Sequence, residues 1–504
     1  MSEDIPVAKD LDEANAIIAA QARDIRQLNE QMTLLMNRVF GRKTEKLDPN
    51  QLPLFEEAGE SAVEAEATAS AAASSPKKKT KGHGRASFPA SLPRVDERHV
   101  LPEDCRCDVC DSPMRALADE VSERGHFVPA QIIVKRICRE KRACPEGCMV
   151  KTAAAPAPLI DRCKYEPSVY ASIAVSKYAD HLPLHRQEAM WKRQGMPIAK
   201  STMADMVQRV AEIAGAPIVK QMEREVLEDG VVHADETPIT VLLEGKKGQA
   251  GRKTGYVWIY RAGIKSVFVF RQGRGRDGPC EFLRGYKGLM VTDGYAGYDE
   301  VERREELTRI GCWAHARRKF KEALDAKDQR AGPILRLISW LYRLESMIAR
   351  TAEERWLSEP ERRALVLRVR ERLSRRVTER IEAALLDLEA RADVLPKQQL
   401  GKAVRYALGQ WARLTRFLKH PEAPLDNNAA ERDLRQVALG RKNWLFAGSP
   451  KGAETAATLY SLMASCKAIG VDPFAYLADV LERVDTTPAS EIRTLTPWAW
   501  AAQQ

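Results

Sequence analysis

Three acidic residues set far apart constrain this chain more than any other feature: Asp235 in VVHADETPI, Asp293 in LMVTDGYAGY and Glu431 in DNNAAERDLR. The first two each follow an apolar run that reads as a buried strand. The third sits in a helix-like stretch 138 residues later (431 − 293). Two carboxylates on neighbouring strands and one from a helix can close on a pair of Mg²⁺ (or Mn²⁺) ions. Such a pair clamps both the attacking and the leaving oxygen of a phosphodiester. Taken singly, each acid has a plainer reading: the aspartates as turn residues at strand ends, the glutamate as a surface helix residue. Three acids in suitable elements, order and separation point to metal binding.

From residue 230 the periodicity is that of strands. VVHADETPITVLL, GYVWIYRAG and SVFVFRQGR are β-rich runs with turn residues between them. GPCEFLRGYKG reads as a helix, LMVTD as a strand, and LTRIGCWAHARRKF as a strand running into a helix. The order β-β-β-α-β-α-β-α is that of an α/β catalytic core of RNase H-like type. Its first and fourth strands lie side by side, which sets Asp235 and Asp293 at adjacent strand ends. Residues from about 321 to 420 are helical and charged and read as an insertion before DNNAAERDLRQVALGRKNWLF resumes the core. Asp426 is placed to cap that last helix, Glu431 lies about one turn inside, and Arg435 follows one turn later on the same face. Asp426 and Glu236 are the nearest competitors for a ligand role. His315, in CWAHARRKF, is either a contact to DNA or the site, or a packed histidine.

The remaining segments bound the partners. Lys and Arg total 80 against 70 Asp and Glu, a net charge of +10 that suits a polyanion without requiring one. No apolar run approaches transmembrane length and MSEDIPVAKD has no signal pattern, so a cytoplasmic protein without a membrane partner is expected. Leu11, Ile18, Ile25, Met32 and Val39 recur every seven residues, with Ala14, Leu28 and Leu35 three later in their heptads. That stripe, within a segment spanning 9–55, predicts a coiled coil and a homo-oligomer; the alternative is an amphipathic helix packed on its own domain. A linker with a basic tail (PKKKTKGHGR) fills 56–90. Six of the ten cysteines then lie between Cys105 and Cys148. The pairs Cys107/Cys110 and Cys144/Cys148 can hold one structural Zn²⁺ in a domain spanning 91–155. Cys105, Cys138 and His99 are substitute ligands, and buried free thiols are the alternative. Lys135 and Arg136, in IIVKRICREKR, are set to lie on a DNA backbone. Residues 160–222 read as a helix-turn-helix-like region, with a turn at Gly195 and Ser201 as the next N-cap, or equally as two packed helices.

At these residues the chain resembles a known family. HADET, TDGYAGY, CWAHARRKF and DNNAAERDLR…GRKNWLFAGSPKGAE are similar to the motifs of the insertion-sequence-66 family of bacterial DDE transposases. The N-terminal heptads with FGRKTEKLDPNQLPLF, the cysteine region, and the tail SLMASCKAIGVDPFAYLADVLERV extend the resemblance nearly end to end. CPEGC departs from the family's more usual CxxC. The resemblance implies a catalytic domain over 228–455, a C-terminal helical segment over 456–504, and Asp235, Asp293 and Glu431 as the triad. It implies hydrolysis at element ends to free a 3′-OH, then attack of that hydroxyl on target DNA, with the element's terminal repeats and small accessory proteins as partners. Arg435, Arg441, Lys442 and Lys451 are candidates for phosphate contacts. Two other readings use the same parts: a catalytically inactive DNA-binding regulator, and a structure-selective nuclease on the same fold.

Overall fold

The computed structural model describes residues 131–143, 149–154, 164–243, 251–305 and 307–504, together with Gln21, Ala22, Ile25, Leu28, Asn29 and Met32. Cys107, Cys110, Cys144, Cys148, Cys105, His99 and the linker at 56–90 lie outside the described residues. Of the heptad stretch, Ile25, Leu28 and Met32 are described, as helical positions with exposed side chains. The chain divides into two units, Met1–Glu56 with Cys138–Gln504, and Glu57–Ile137. The second is described only over 131–137, a stretch without helix or strand in which Lys135 and Arg136 are exposed.

In the first unit, β1 (Lys141–Ala143) and β2 (Val150–Thr152) form a short antiparallel ladder. Four helices follow: α1 (Pro167–Tyr178), α2 (Leu184–Arg193), α3 (Lys200–Val210), which runs through a π-helical turn (Ala211–Gly215), and α4 (Ala216–Leu227). Gly195, at φ +90°, makes the turn between α2 and α3, a conformation that carries little penalty for glycine. Ser201 is not the cap of α3. The cap position is Ala199, and the Glu188 carboxylate on α2 accepts the hydrogen bond from Lys200 N (2.9 Å). An acid from the neighbouring helix therefore satisfies an amide that the serine was expected to serve.

The sheet contains β3 (Val231–Leu243), β4 (Gly251–Ala262), β5 (Lys265–Arg271), β6 (Leu289–Thr292) and β7 (Thr308–Gly311) in the order β5-β4-β3-β6-β7. The first three form an antiparallel meander. β6 pairs with β3 in parallel over Val231–His233, and β7 pairs with β6 in parallel. β6 is buried at every position, so it reads in sequence as a continuous apolar run. Short helices α5 (Asp277–Phe282) and α6 (Asp299–Arg304) connect the strands, and α7 (Trp313–Asp325) leaves β7.

The chain then builds a helical segment of α8 (Ala331–Glu354), α9 (Glu359–Val369), a π-helical turn (Arg370–Ser374), α10 (Arg375–Ala390), α11 (Gln399–Gly409) and α12 (Trp411–Thr415). It returns through α13 (Asn428–Trp444) and ends in α14 (Pro450–Ala468), α15 (Pro473–Arg483) and α16 (Pro497–Ala501). Helix α14 is buried on nearly every side. Its Ser461 and Ser465 hydroxyls accept hydrogen bonds from Phe268 N (2.8 Å) and Ser266 N (3.2 Å), so the open edge of β5 is covered rather than left to pair with another chain.

Two apolar cores result. One joins β3–β5 to α1, α3, α4, α14 and α15, and the other joins β6 and β7 to α7, α8, α10 and α11. The second is tied by a buried arginine. Arg370 grips Glu345 with Nε and Nη2 (2.9 and 2.7 Å) and donates to the carbonyls of Phe417, His420 and Ala423. Arg370→Ala strands that carboxylate and three carbonyls, and should lower stability by about 3–5 kcal/mol in urea unfolding. An unchanged midpoint would show that water replaces the guanidinium.

Candidate active site

Asp235 sits two residues beyond the last parallel pair of β3 with β6, and Asp293 is the first residue after β6. The sheet register therefore brings the two aspartates to the same end of adjacent strands. Asp235 Oδ1 accepts from Glu236 N (2.8 Å), and Asp293 Oδ1 accepts from Tyr295 N (2.8 Å). Glu431 enters from the first turn of α13. Burial pushes the Asp235 carboxyl up to about 8, and the charges of Glu236, Asp293 and Glu431 add to the shift. The three acids feel one another's charge, but among the described residues their oxygens do not all come within 4.8 Å, a spacing that Cys312, His315 and Glu431 do reach.

Glu431 is framed by two residues of α7. Its Oε2 accepts from Arg318 Nη2 at 3.0 Å, and its Oε1 stands 3.5 Å from His315 Nδ1. Both of those last atoms are buried and hydrogen-bond to nothing. His315 is pushed toward its neutral form by burial, against the pull of Glu431. Cys312, His315 and Glu431 together place three donor atoms within 4.8 Å of one another. The thiol is the weakest of these donors: burial pushes it up to about 12, and its Sγ already accepts from Asn427 N (3.2 Å). Carboxylates that crowd one another, with an unsatisfied oxygen beside a neutral imidazole, are a donor set that fits a hard divalent cation.

The two competing acids are otherwise engaged. The Glu236 side chain is covered, holds Arg274 Nη2 at 2.6 Å, and accepts from the Tyr298 hydroxyl (3.0 Å). Asp426 accepts from both Asn428 N (3.1 Å) and Asn428 Nδ2 (2.9 Å), which fastens the start of α13. Of the basic residues, Arg435 and Lys442 are exposed on α13. Arg441 donates to Thr237 Oγ1 (3.0 Å) and Pro238 O (2.5 Å), and Lys451 pairs with Glu212 at 2.5 Å, so both bind within the protein.

Two supporting residues escaped the sequence reading. Arg309 is fully buried in β7; it donates to Thr292 Oγ1 (2.7 Å), Asp293 O (2.6 Å), Tyr295 O (3.0 Å) and Asp299 Oδ1 (2.5 Å). It clamps the loop that presents Asp293. Its signal was an arginine inside the apolar run LTRIG. Asn427, also fully buried, donates from Nδ2 to Ala234 O (2.9 Å), which leaves its Oδ1 to accept from His233 Nδ1 (2.9 Å). Burial pushes His233 down to about 4, in keeping with that neutral tautomer.

The fold is an α/β core whose sheet register sets Asp235 and Asp293 at one end of adjacent strands. Comparison with known proteins defines its class. Residues 162–455 match the model "Transposase IS66 family", 461–498 match "IS66 C-terminal element", and 27–96 match "Transposase C of IS166 homeodomain". The chain belongs to the IS66 family of transposases. It is 30% identical to protein y4jD of Sinorhizobium fredii (strain NBRC 101917 / NGR234) over 96% of each chain. It is 32% identical to y4hP of the same strain, over 82% of this chain and 77% of that one. Among solved structures it is similar to "Drosophila P element transposase strand transfer complex", at 12% identity and a TM-score of 0.29, covering 60% of this chain and 93% of that one.

Asn427→Ala orphans the Ala234 carbonyl and the His233 N–H and cuts the side-chain tie between the α13 start and β3, and should cost about 2–4 kcal/mol in thermal unfolding. Asp235 has a folded pKa raised from 3.8 to about 8, so its contribution to stability is full below about pH 4 and is lost as pH rises toward 8. Metal-free Asp235→Asn should therefore unfold at a higher temperature than the wild type at pH 8, and the gap should close by pH 4. An equal gap at both values would remove charge crowding as its cause.

Proposed function

We propose that this transposase uses an RNase H-like core to cut the ends of its insertion sequence and join them to target DNA, with Asp235, Asp293 and Glu431 holding two Mg²⁺ (or Mn²⁺) ions. What supports the reading is the crowding at Asp235, whose raised pKa is driven by burial and by the neighbouring acids, including Asp293 and Glu431. Bringing like charges together out of water is costly unless cations join them. When bound, the ions lower the pKa of the attacking hydroxyl and neutralise the leaving oxygen.

The chain's own residues position those charges. Arg309 fixes the Asp293 loop, and Asn427 fixes the start of α13 against β3. Arg318 holds the Glu431 carboxylate from the α7 side, with the His315 ring beside its free oxygen. In the first step a bond forms between the water oxygen and phosphorus, and the bond to the 3′ oxygen breaks, freeing a 3′-OH. In the second, that hydroxyl attacks a target phosphodiester and displaces the target's own 3′ oxygen. No protein–DNA bond is made. Arg435 and Lys442 are the exposed cations of α13 that suit phosphate. A structural Zn²⁺ on Cys107, Cys110, Cys144 and Cys148, with Lys135 and Arg136 along the backbone, belongs to the same reading and rests on their spacing. So do self-association through the N-terminal heptads, accessory proteins of the same element, and a cytoplasmic location.

The test is Mg²⁺-dependent nicking of labelled DNA carrying the element's own end. Wild type should cut, and Asp293→Asn should lose at least a hundredfold in rate. Equal cutting by both would exclude Asp293 from the site.

A further inference from the structure

Helices α9 and α10 run on through the π-helical turn at Arg370–Ser374 as one helical stretch. Its buried residues Val366, Arg370, Ser374 and Thr378 recur at intervals of four. In a regular α-helix, positions four apart drift by about 40° per step, so such a row would soon leave the core. The wider π turn absorbs the drift and keeps the row facing inward.

Arg368, Arg372, Arg376 and Arg380 keep the same interval, each two residues after a buried position, and all four are exposed. Two residues is about 200° around a helix, so the arginines form a ridge opposite the core. Their partnering sets them apart. Arg363, Arg370, Arg375 and Arg391 are each matched with an acid. Among the described residues, none of the four ridge arginines makes a salt bridge or a side-chain hydrogen bond. Of the acids between Arg368 and Arg380, Glu371 is held by Arg375 at 2.5 Å, which leaves Glu379. Each successive pair on the ridge is a like-charge contact one turn apart, destabilising by about 0.2–0.5 kcal/mol.

We infer that this ridge binds the backbone of duplex DNA without regard to sequence. Four guanidinium groups at about 6 Å intervals span about 18 Å, a length over which one strand carries roughly five phosphates. A polyanion relieves the repulsion along the ridge, and arginine suits phosphate by its planar donor fork. The ridge includes none of the triad residues, so it does not depend on their assignment.

The experiment uses the full chain with a duplex of arbitrary sequence, and again with the element's own end. Binding is measured over a range of salt. Arg372→Gln/Arg376→Gln, which keeps helix propensity and length, should weaken both duplexes by about tenfold and reduce the salt slope by about 2. Arg391→Gln, off the ridge and paired with Asp393, should leave the slope unchanged. Without DNA the double variant should unfold at or slightly above the wild-type temperature, because like-charge contacts are removed, which separates lost contacts from lost fold. An unchanged salt slope would overturn the inference. So would a loss confined to the element's end, which would mean sequence reading, or altered self-association with DNA binding intact, which would mean that the ridge meets a second copy.

Discussion

Asn427 is the joint on which the site depends. Through one buried amide side chain and its own backbone it touches Ala234 and His233 on β3 and Cys312 at the start of α7. Those residues are separated by up to 194 positions. Asn427 and Cys312 are buried and His233 is partly so, and their polar atoms find partners within the fold. The joint therefore has one arrangement that satisfies all of them, and that arrangement aims the first turn of α13 at the strand ends. At the far end of the same helix, Ala447 exchanges hydrogen bonds with Thr240 and Leu242 of β3. The helix carrying Glu431 is thus stapled to β3 at both ends. The hundred-odd residues that precede it in sequence can fold as helices of their own without setting its position.

The elements that carry the three acids are also tied by groups that do not touch the carboxylates. Arg309 reaches the Asp293 loop mainly through backbone carbonyls, and Arg261 ties Asp433 of α13 to β4 (3.0 Å). These are partly buried, charge-assisted contacts of the kind that fix geometry more than they add net stability. The arrangement accepts the cost of crowding Asp235 because the scaffold around it is over-determined.

Much of this was legible in the sequence, and the reasons are physical. A strand buried on both faces leaves an apolar run, as LMVT does for β6, and a strand buried mainly on alternate residues leaves the mixed β-rich run VVHADETPITVLL, which coincides with β3. Chain order then puts the first and fourth strands together, which is the pairing observed. What was not legible were interactions between distant segments. Nothing near Ser201 indicates that Glu188 serves the helix start in its place. Nothing near Arg441 or Lys451 shows that Pro238 and Glu212 engage them. The phase of the arginine ridge depends on a π turn, which has no simple sequence period.

The separation of Glu431 from the aspartates also has a consequence in time. Ribosomes extend a chain by about 5–20 residues per second. Asp293 therefore precedes Glu431 by roughly 7–28 seconds of synthesis, over 138 residues (431 − 293). During that interval β3 and β6 can pair, but the third carboxylate and the Asn427 joint do not yet exist. A chain cut short by a stalled ribosome or a frameshift before α13 carries two acids on adjacent strands and nothing to complete them.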